Sequence, residues 1–305
     1  MKSIVLTISI LIGFFAYTQT IELFTLNQYT TANNTKTGFI SLSDIYANEQ
    51  FMDSIGILPE NPTDIQRVIL TDVYRKRLLQ GTKTVEKDTV YLYNYETNAL
   101  VKMPVSSLKS IAKINMYADV VDAQNTLSPD DFMFGFEVNH QVVTKLGNEF
   151  RILVSIGKFN PFQLTKLQPF VWKKISANEF PFSQLARNQP FDYPIKDLKF
   201  HYYKSENYQY FVVSEILSSD MIILDLKGNK INEISFGSSE SCSLTALSED
   251  PKIIIQFVGS LFKNLPEVFL GFEELEASIS CTPIIYFVDP HYNYISINSD
   301  YKHRM

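Results

Sequence analysis

The stretch "YFVVSEILSSDMIILDLKGNKINEISF", residues 210–236, decides the fold. The runs "YQYFVVSEI" (208–216), "MIILDL" (221–226) and "INEISF" (231–236) are rich in Tyr, Phe, Val and Ile, the residue types that suit a pleated, half-buried surface. Between the last two, Asp225 to Lys230, "DLKGNK", has the chemistry of a hairpin turn. Working outward, "KFHYY" (199–203), "KIIIQFV" (252–258), "EVFLGF" (267–272), "PIIYFV" (283–288) and "YNYISI" (292–297) repeat the same short, apolar, turn-bounded pattern.

Toward the N-terminus the pattern continues with one interruption. "IELFTLN" (21–27) reads as a strand, and "VYLYNY" with "LVKMPV" forms a hairpin around "ETNA". "IAKINMY" (111–117), "FMFGFEV" (132–138) and "FRILVSI" (150–156) add further strands, the last two joined through a turn at Gly147 and Asn148. The interruption, about 42–81, reads as helical. Within 41–57 a short helix can start with Ser43 as its cap, and the clearest helix starts from Thr63 as N-cap, carries Ile65, Val68, Ile69, Val73 and Leu79 on or near one stripe, and stops at Gly81. The basic knot "YRKRLL" (74–79) falls at the end of that helix, where cations complement the negative end of the helix dipole.

The chain is therefore expected to be mainly β: many short antiparallel strands, propeller-like or multi-sheet, with a few helices near the N-terminus. Residues 210–236 resemble part of one blade of a β-propeller, in which a strand, a polar link, a strand ending in Asp, a Gly turn and a further strand follow in order. No second copy of that pattern is convincing. The alternative is two packed β subdomains, 19–127 and 128–305, divided within "DAQNTLSPDD" (122–131); one continuous domain also fits the length. Four Pro-Phe pairs, at 161, 169, 181 and 190, mark strand edges and connectors whose phenylalanines pin them to the core.

The first residues, "MKSIVLTISILIGFFAYTQT", have a lysine at position 2 and an apolar run from Ile4 to Phe15. This is the pattern of a secretory signal peptide, 1–18, with cleavage near Thr18 and Ala16 three positions before the cut. The run falls short of the roughly 20 residues a spanning helix needs, so no transmembrane anchor is expected after cleavage. Periplasmic or extracellular localisation follows, in an oxidising space that lets disulfides persist. Cys242 and Cys281, 39 positions apart, are then either a disulfide or two separate buried thiols. A bond across such a loop contributes about 4 kcal/mol in the chain-entropy model.

Composition excludes more than it assigns. A net charge of −6 argues against nucleic acid as a partner. The histidines, 140, 201, 291 and 303, form no H-x-H or H-E-x-x-H, and no calcium loop, phosphate loop or dinucleotide fingerprint is present, so no metal and no cofactor is expected. "FGSSES" (236–241) lacks the second glycine of a nucleophile elbow. Glu273, Glu274 and Glu276 are neighbouring acids on one short turn and read as a solvated face.

One candidate surface remains. Tyr202, Tyr203, Tyr208 and Tyr210 lie in adjacent strand runs, Tyr208 and Tyr210 on one face with Gln209 and Phe211 on the other. Tyrosines on a wet sheet face form a platform for sugars or peptides; the same residues also pack ordinary sheets. Two functions are weighed. An exported, noncatalytic β-protein of the cell envelope that binds a protein or carbohydrate partner predicts a shallow aromatic surface; an exported hydrolase of polysaccharide or peptide requires carboxylates, or a serine and histidine, facing one another in a cleft. A polar cleft around Glu273 or His201 would favour the second.

Overall fold

The computed structural model describes residues 21–30, 34–43, 67–114, 132–186, 191, 194–237, 243–250, 252, 255–274 and 284–298. Several expectations lie outside these residues: the signal peptide, the short helix within 41–57 beyond Ser43, the N-cap at Thr63, the boundary at 122–131, both cysteines, most of "FGSSES", Glu276 and His303.

The fold is mainly β and multi-sheet. Residues 173–237 form an antiparallel meander of Lys173–Lys174, Lys199–Lys204, Tyr208–Ser214, Ser218–Asp225 and Lys230–Gly237. The expected hairpin at "DLKGNK" is present: the Asp225 carboxylate accepts from the Lys227 and Asn229 amides at 2.8 Å, and Gly228 takes φ 87°. Against the meander packs a nine-stranded sheet whose order runs from Gln168–Pro169 through Phe257–Gly259, Val268–Leu270, Ile284–Phe287 and Ile295–Asn298 to Leu23–Thr25, Ile152–Gly157, Thr89–Asn94 and Ala99–Pro104. Leu23–Thr25 pairs in parallel with Ile295–Asn298, which splices N-terminal and C-terminal strands into one sheet. A third sheet joins Asn27–Thr30, Lys36–Ser43, Phe132–Val138, Lys109–Ile114 and Arg67–Ile69. Pairing thus crosses residue 127 in two sheets, through Phe132–Val138 against Lys109–Ile114 and Ile152–Gly157 against Thr89–Asn94.

Gly135 is dictated by the third sheet. It stands opposite Ser41 next to a bulge between Ser41 and Ser43, and a Cβ there would sit 1.8 Å from the Ile40 carbonyl oxygen. Of the prolines, Pro169 lies in the edge strand, where its missing N–H costs no ladder bond. Phe162 and Phe170, each following a proline, are fully buried, and Phe182 and Phe191 pack against the cluster around Phe180 and Phe200.

The helical stretch differs from expectation. Helix α1 covers only Asp72–Gly81, and Arg67–Ile69, expected inside it, is a strand paired with Ile111–Lys113. Val68 and Ile69 are β-branched, and a vacant ladder on the neighbouring strand outweighs their weak helical preference. The basic knot serves another purpose than dipole complementation. Arg75, in the second turn, is gripped by both Glu86 carboxylate oxygens at 2.7 and 2.8 Å and donates to the carbonyls of Val105 and Leu108 and to the Ser110 hydroxyl, at 2.8, 2.6 and 2.9 Å. This planar fork locks α1 onto the 105–110 connection. The turn expected at Gly147 and Asn148 is preceded by a helix α2, His140–Leu146. Asn139 caps it by accepting from the Val142 amide at 3.0 Å, and Gly147 ends it at φ 82°.

Candidate functional site

The inner face of the meander can be read row by row from its register. Tyr203, Tyr210 and Ile223 stand side by side; the next row is Lys174, His201, Val212 and Met221; the next is Lys199, Ser214 and Ser219. Residues two apart share a face, so all three rows point the same way. The opposite face carries Phe200, Val213, Ile222 and Leu224, sealed by Phe180 and its neighbours.

The aromatic end of the inner face closes against the nine-stranded sheet. Phe170 is the hub, its ring centroid 4.8 Å from Trp172, 4.7 Å from Tyr203, 5.1 Å from Tyr210 and 5.6 Å from Phe272. Tyr210 is 0% exposed, and burial pushes its phenol far above the usual tyrosine range. The four tyrosines therefore do not form one wet platform. Tyr203, Tyr208 and Tyr210 belong to this core cluster, with Tyr203 and Tyr208 half-buried at its rim. Tyr202 lies on the other face, its ring 4.8 Å from Phe211 and its hydroxyl donating to Gln209 Oε1 at 3.2 Å. Alternation placed Tyr208 and Tyr210 together correctly, but which face meets a second sheet depends on strands far away in sequence.

The other end of the same face is not covered by a sheet. A loop, 245–250, crosses it and leaves a cleft of about 560 Å3 lined by Lys174, Lys199, His201, Thr245 and Glu249, with Ser214 and Ser219 beneath. The loop is tied down at three points: the Trp172 amide donates to Ser248 O at 3.0 Å, the Thr245 amide to Phe272 O at 3.0 Å, and the buried Gln256 side chain to Ala246 O at 3.1 Å. The roof is accordingly a fixed part of the fold.

His201 is only 5% exposed. Its Nε2 lies 3.5 Å from Glu249 Oε1, while Nδ1 is buried with no hydrogen-bond partner among the described residues. Burial holds the imidazole pKa below its ordinary value; Glu249 pulls it back up, and Lys174 and Lys199 add to the lowering. The ring is neutral at pH 7. A carboxylate only accepts, so Nε2 carries the proton and Nδ1 is a bare, buried acceptor. Thr245, also 5% exposed, contributes a second buried polar atom, Oγ1, without a partner among the described residues. The two serine hydroxyls are bonded to each other, Ser219 Oγ to Ser214 Oγ at 2.9 Å.

The remaining candidates stand apart. His140 and His291 are exposed and lie 3.0 Å from Lys36 O and 2.8 Å from Asp289 Oδ1. Glu273–Glu274 is a two-residue strand paired with Ser243–Leu244, where a turn was expected. Among the described residues no group of three or more His, Cys, Asp or Glu is placed to hold a metal, and no helix is long and apolar enough to cross a membrane. A second cavity of about 470 Å3 is mostly apolar and includes Tyr95, Glu149 and Ile297; burial pushes the Glu149 carboxyl up. Comparison with known proteins gives no match to a family model, to a curated protein or to a solved structure.

Sequence reasoning missed Lys174, Lys199, Thr245 and Glu249 because they come from three distant segments. One signal was available. Gln256 is a polar residue inside the apolar run "KIIIQFV", and a buried amide must hold something; here it holds the loop that roofs the cleft.

Proposed function

We propose that this is an exported β-protein of the cell envelope that binds a protein or carbohydrate partner without transforming it, and that the His201 cleft is where binding takes place. One observation carries the reading: at the open end of the meander's inner face, a cleft of about 560 Å3 under a tied-down loop gathers Lys174, Lys199, His201, Ser214, Ser219 and Glu249. Cations, an acid and hydroxyls converging in one concavity of that size suit a polar ligand. Export rests on the leader at 1–18, and a bond between Cys242 and Cys281 belongs to the same reading of an oxidising compartment.

A hydrolase is the second reading, and a polar cleft at His201, in place of a shallow aromatic surface, is the feature expected to favour it. His201 has a carboxylate beside Nε2, as an oriented catalytic imidazole would, but its Nδ1 is buried and meets no nucleophile among the described residues. Ser214 and Ser219 line that cleft, yet their hydroxyls bond each other and not His201.

Fractionation with intact-mass measurement tests export: the protein is expected outside the cytosol without residues 1–18, and recovery from cytosol with Met1 attached contradicts it. A pull-down from envelope extract under nonreducing conditions tests binding, and reads the thiol state from the same sample. Wild type is expected to retain a partner that the Lys174→Glu, Lys199→Glu double variant, altered at the cleft lining, loses. Turnover of polysaccharide or peptide by wild type that is abolished in His201→Gln would transfer the assignment to the hydrolase.

A further inference from the structure

The nine-stranded sheet curls on itself. Phe257–Gly259 is second in its strand order and Thr89–Asn94 eighth, yet the ring of Tyr95, just beyond the latter, packs on Phe257 at 5.2 Å between centroids. Tyr95 O also accepts from the Leu167 amide at 3.1 Å. The concave face so formed is filled unevenly. Toward one end Tyr93, Phe162, Phe262 and Phe287 run ring to ring, at 4.9, 6.2 and 6.3 Å, and close the space. At the other end lies the cavity of about 470 Å3. It is distinct from the His201 cleft, with which it shares Thr245.

The strand register fixes which side chains line it. Leu23 stands opposite Ile297, and Thr25 and Tyr93 both stand opposite Leu153. Leu270 and Ile295 both stand opposite Ile285. Residues two apart share a face, so Thr25, Leu153, Leu270 and Ile297, which line the cavity, share the concave one. This floor is largely buried. Solvent reaches the cavity past Ile255, Gly271 and Ile284, each half-buried, and past Phe150, 74% exposed.

Protein interiors are close-packed, and few voids exceed the size of a water molecule. Aliphatic walls give water few of the polar partners it needs, and such cavities stay dry and take apolar molecules. The open end of a curled sheet is also a common place for a small-molecule site, and the volume is of that class. The charges at the rim are already answered. Arg151 Nε lies 3.9 Å from Glu96 Oε2, with its guanidinium 4.9 Å over the Phe257 ring. The Glu149 carboxylate accepts from the Gln28 amide, with Lys36 near. A charged ligand therefore competes with these pairings, whereas an uncharged one leaves them intact.

We infer that the open end of the curled sheet is a further binding site and takes an uncharged molecule with a hydrocarbon chain. The purified protein, carrying 13C-labelled isoleucine methyl groups, is titrated with decanol, and in parallel with decanoate and decylammonium. Decanol is expected to move the Ile255, Ile284 and Ile297 methyl resonances saturably and to leave those of Ile222 and Ile223, buried in the meander, in place. Ile284→Phe, which sets a larger side chain at the mouth, is expected to raise the decanol Kd about tenfold with the circular dichroism spectrum unchanged. Tyr202→Ala, on the outer face of the meander, leaves that Kd unchanged.

Tighter binding of decanoate or decylammonium than of decanol overturns the uncharged ligand and keeps the cavity as the site. Absence of saturable shifts, shifts that spread to Ile222 and Ile223, or a Kd indifferent to Ile284→Phe with the fold intact overturn the cavity itself.

Discussion

The two ends of the meander's inner face are built by the same strands and differ in what covers them. At one end Tyr203, Tyr210 and Ile223 meet Phe170, Trp172 and Phe272, and the space closes into core. Two to four residues along the strands, His201, Ser214 and Ser219 meet a loop instead, and the space remains a polar cleft. The difference teaches that a sheet face is assigned by its roof as much as by its own residues. An unsatisfied buried atom does not separate the ends, since Trp172 Nε1 at the closed end also lacks a partner among the described residues; the cover does.

Substitution at the hub of the closed end should produce the largest effect. Phe170→Ala removes a ring that four other aromatics contact, and is expected to destabilise by about 3–5 kcal/mol in denaturant unfolding. A loss below about 1 kcal/mol would mean that this end is not closed. Tyr202→Ala, on the outer face, should cost only about 1 kcal/mol, the scale of one aromatic contact at a half-buried site. Comparable losses from the two variants would erase the distinction between the faces.

The open end should behave in the opposite way. His201→Leu replaces a buried imidazole lacking one partner with an apolar side chain, and stability is expected to change by less than about 1 kcal/mol in either direction. A loss of several kcal/mol would show that His201 is a structural residue with its bonds fully made. Acid titration sharpens the contrast. Burial sets the folded pKa of His201 below the unfolded value, so its neutral form stabilises the fold fully above about pH 6.5, and that contribution is lost as pH falls through the folded pKa. Wild type should therefore lose stability below pH 6.5 more steeply than His201→Leu; parallel curves would contradict the assignment. The smallest effect is expected at the second cavity. The Glu149 pKa is raised by burial, so its ionised form costs stability at neutral pH and the cost disappears in acid. Glu149→Gln should raise Tm by about 1–3 °C at pH 7, with no gain below pH 4.

Where strand partners are sequence neighbours, the fold was legible. The hairpins at 89–104 and 208–237 follow from alternation and turn chemistry over short distances. Legibility failed where a distant strand decided the outcome. Val68 and Ile69 read as one stripe of a helix until Ile111 and Ala112, more than 40 residues away, offered them a ladder. Helix α2 was missed although its signals were local, Asn139 before it and Gly147 after it, because the apolar residues Val143 and Leu146 were too few to announce a stripe. The cleft was illegible for the first reason: strands at 173–174 and 199–201, the serines at 214 and 219 and the loop at 245–250 meet only through the meander's register and the amide of Gln256.

The central claim is that His201, at the open end of the inner face, is a neutral ring with Nε2 beside Glu249 and a bare, buried Nδ1. Long-range 1H–15N correlation of the imidazole at pH 7 reads this directly. The structure predicts a neutral ring protonated at Nε2, beside Glu249, with Nδ1 bare. A proton on Nδ1, or a doubly protonated ring, would contradict it.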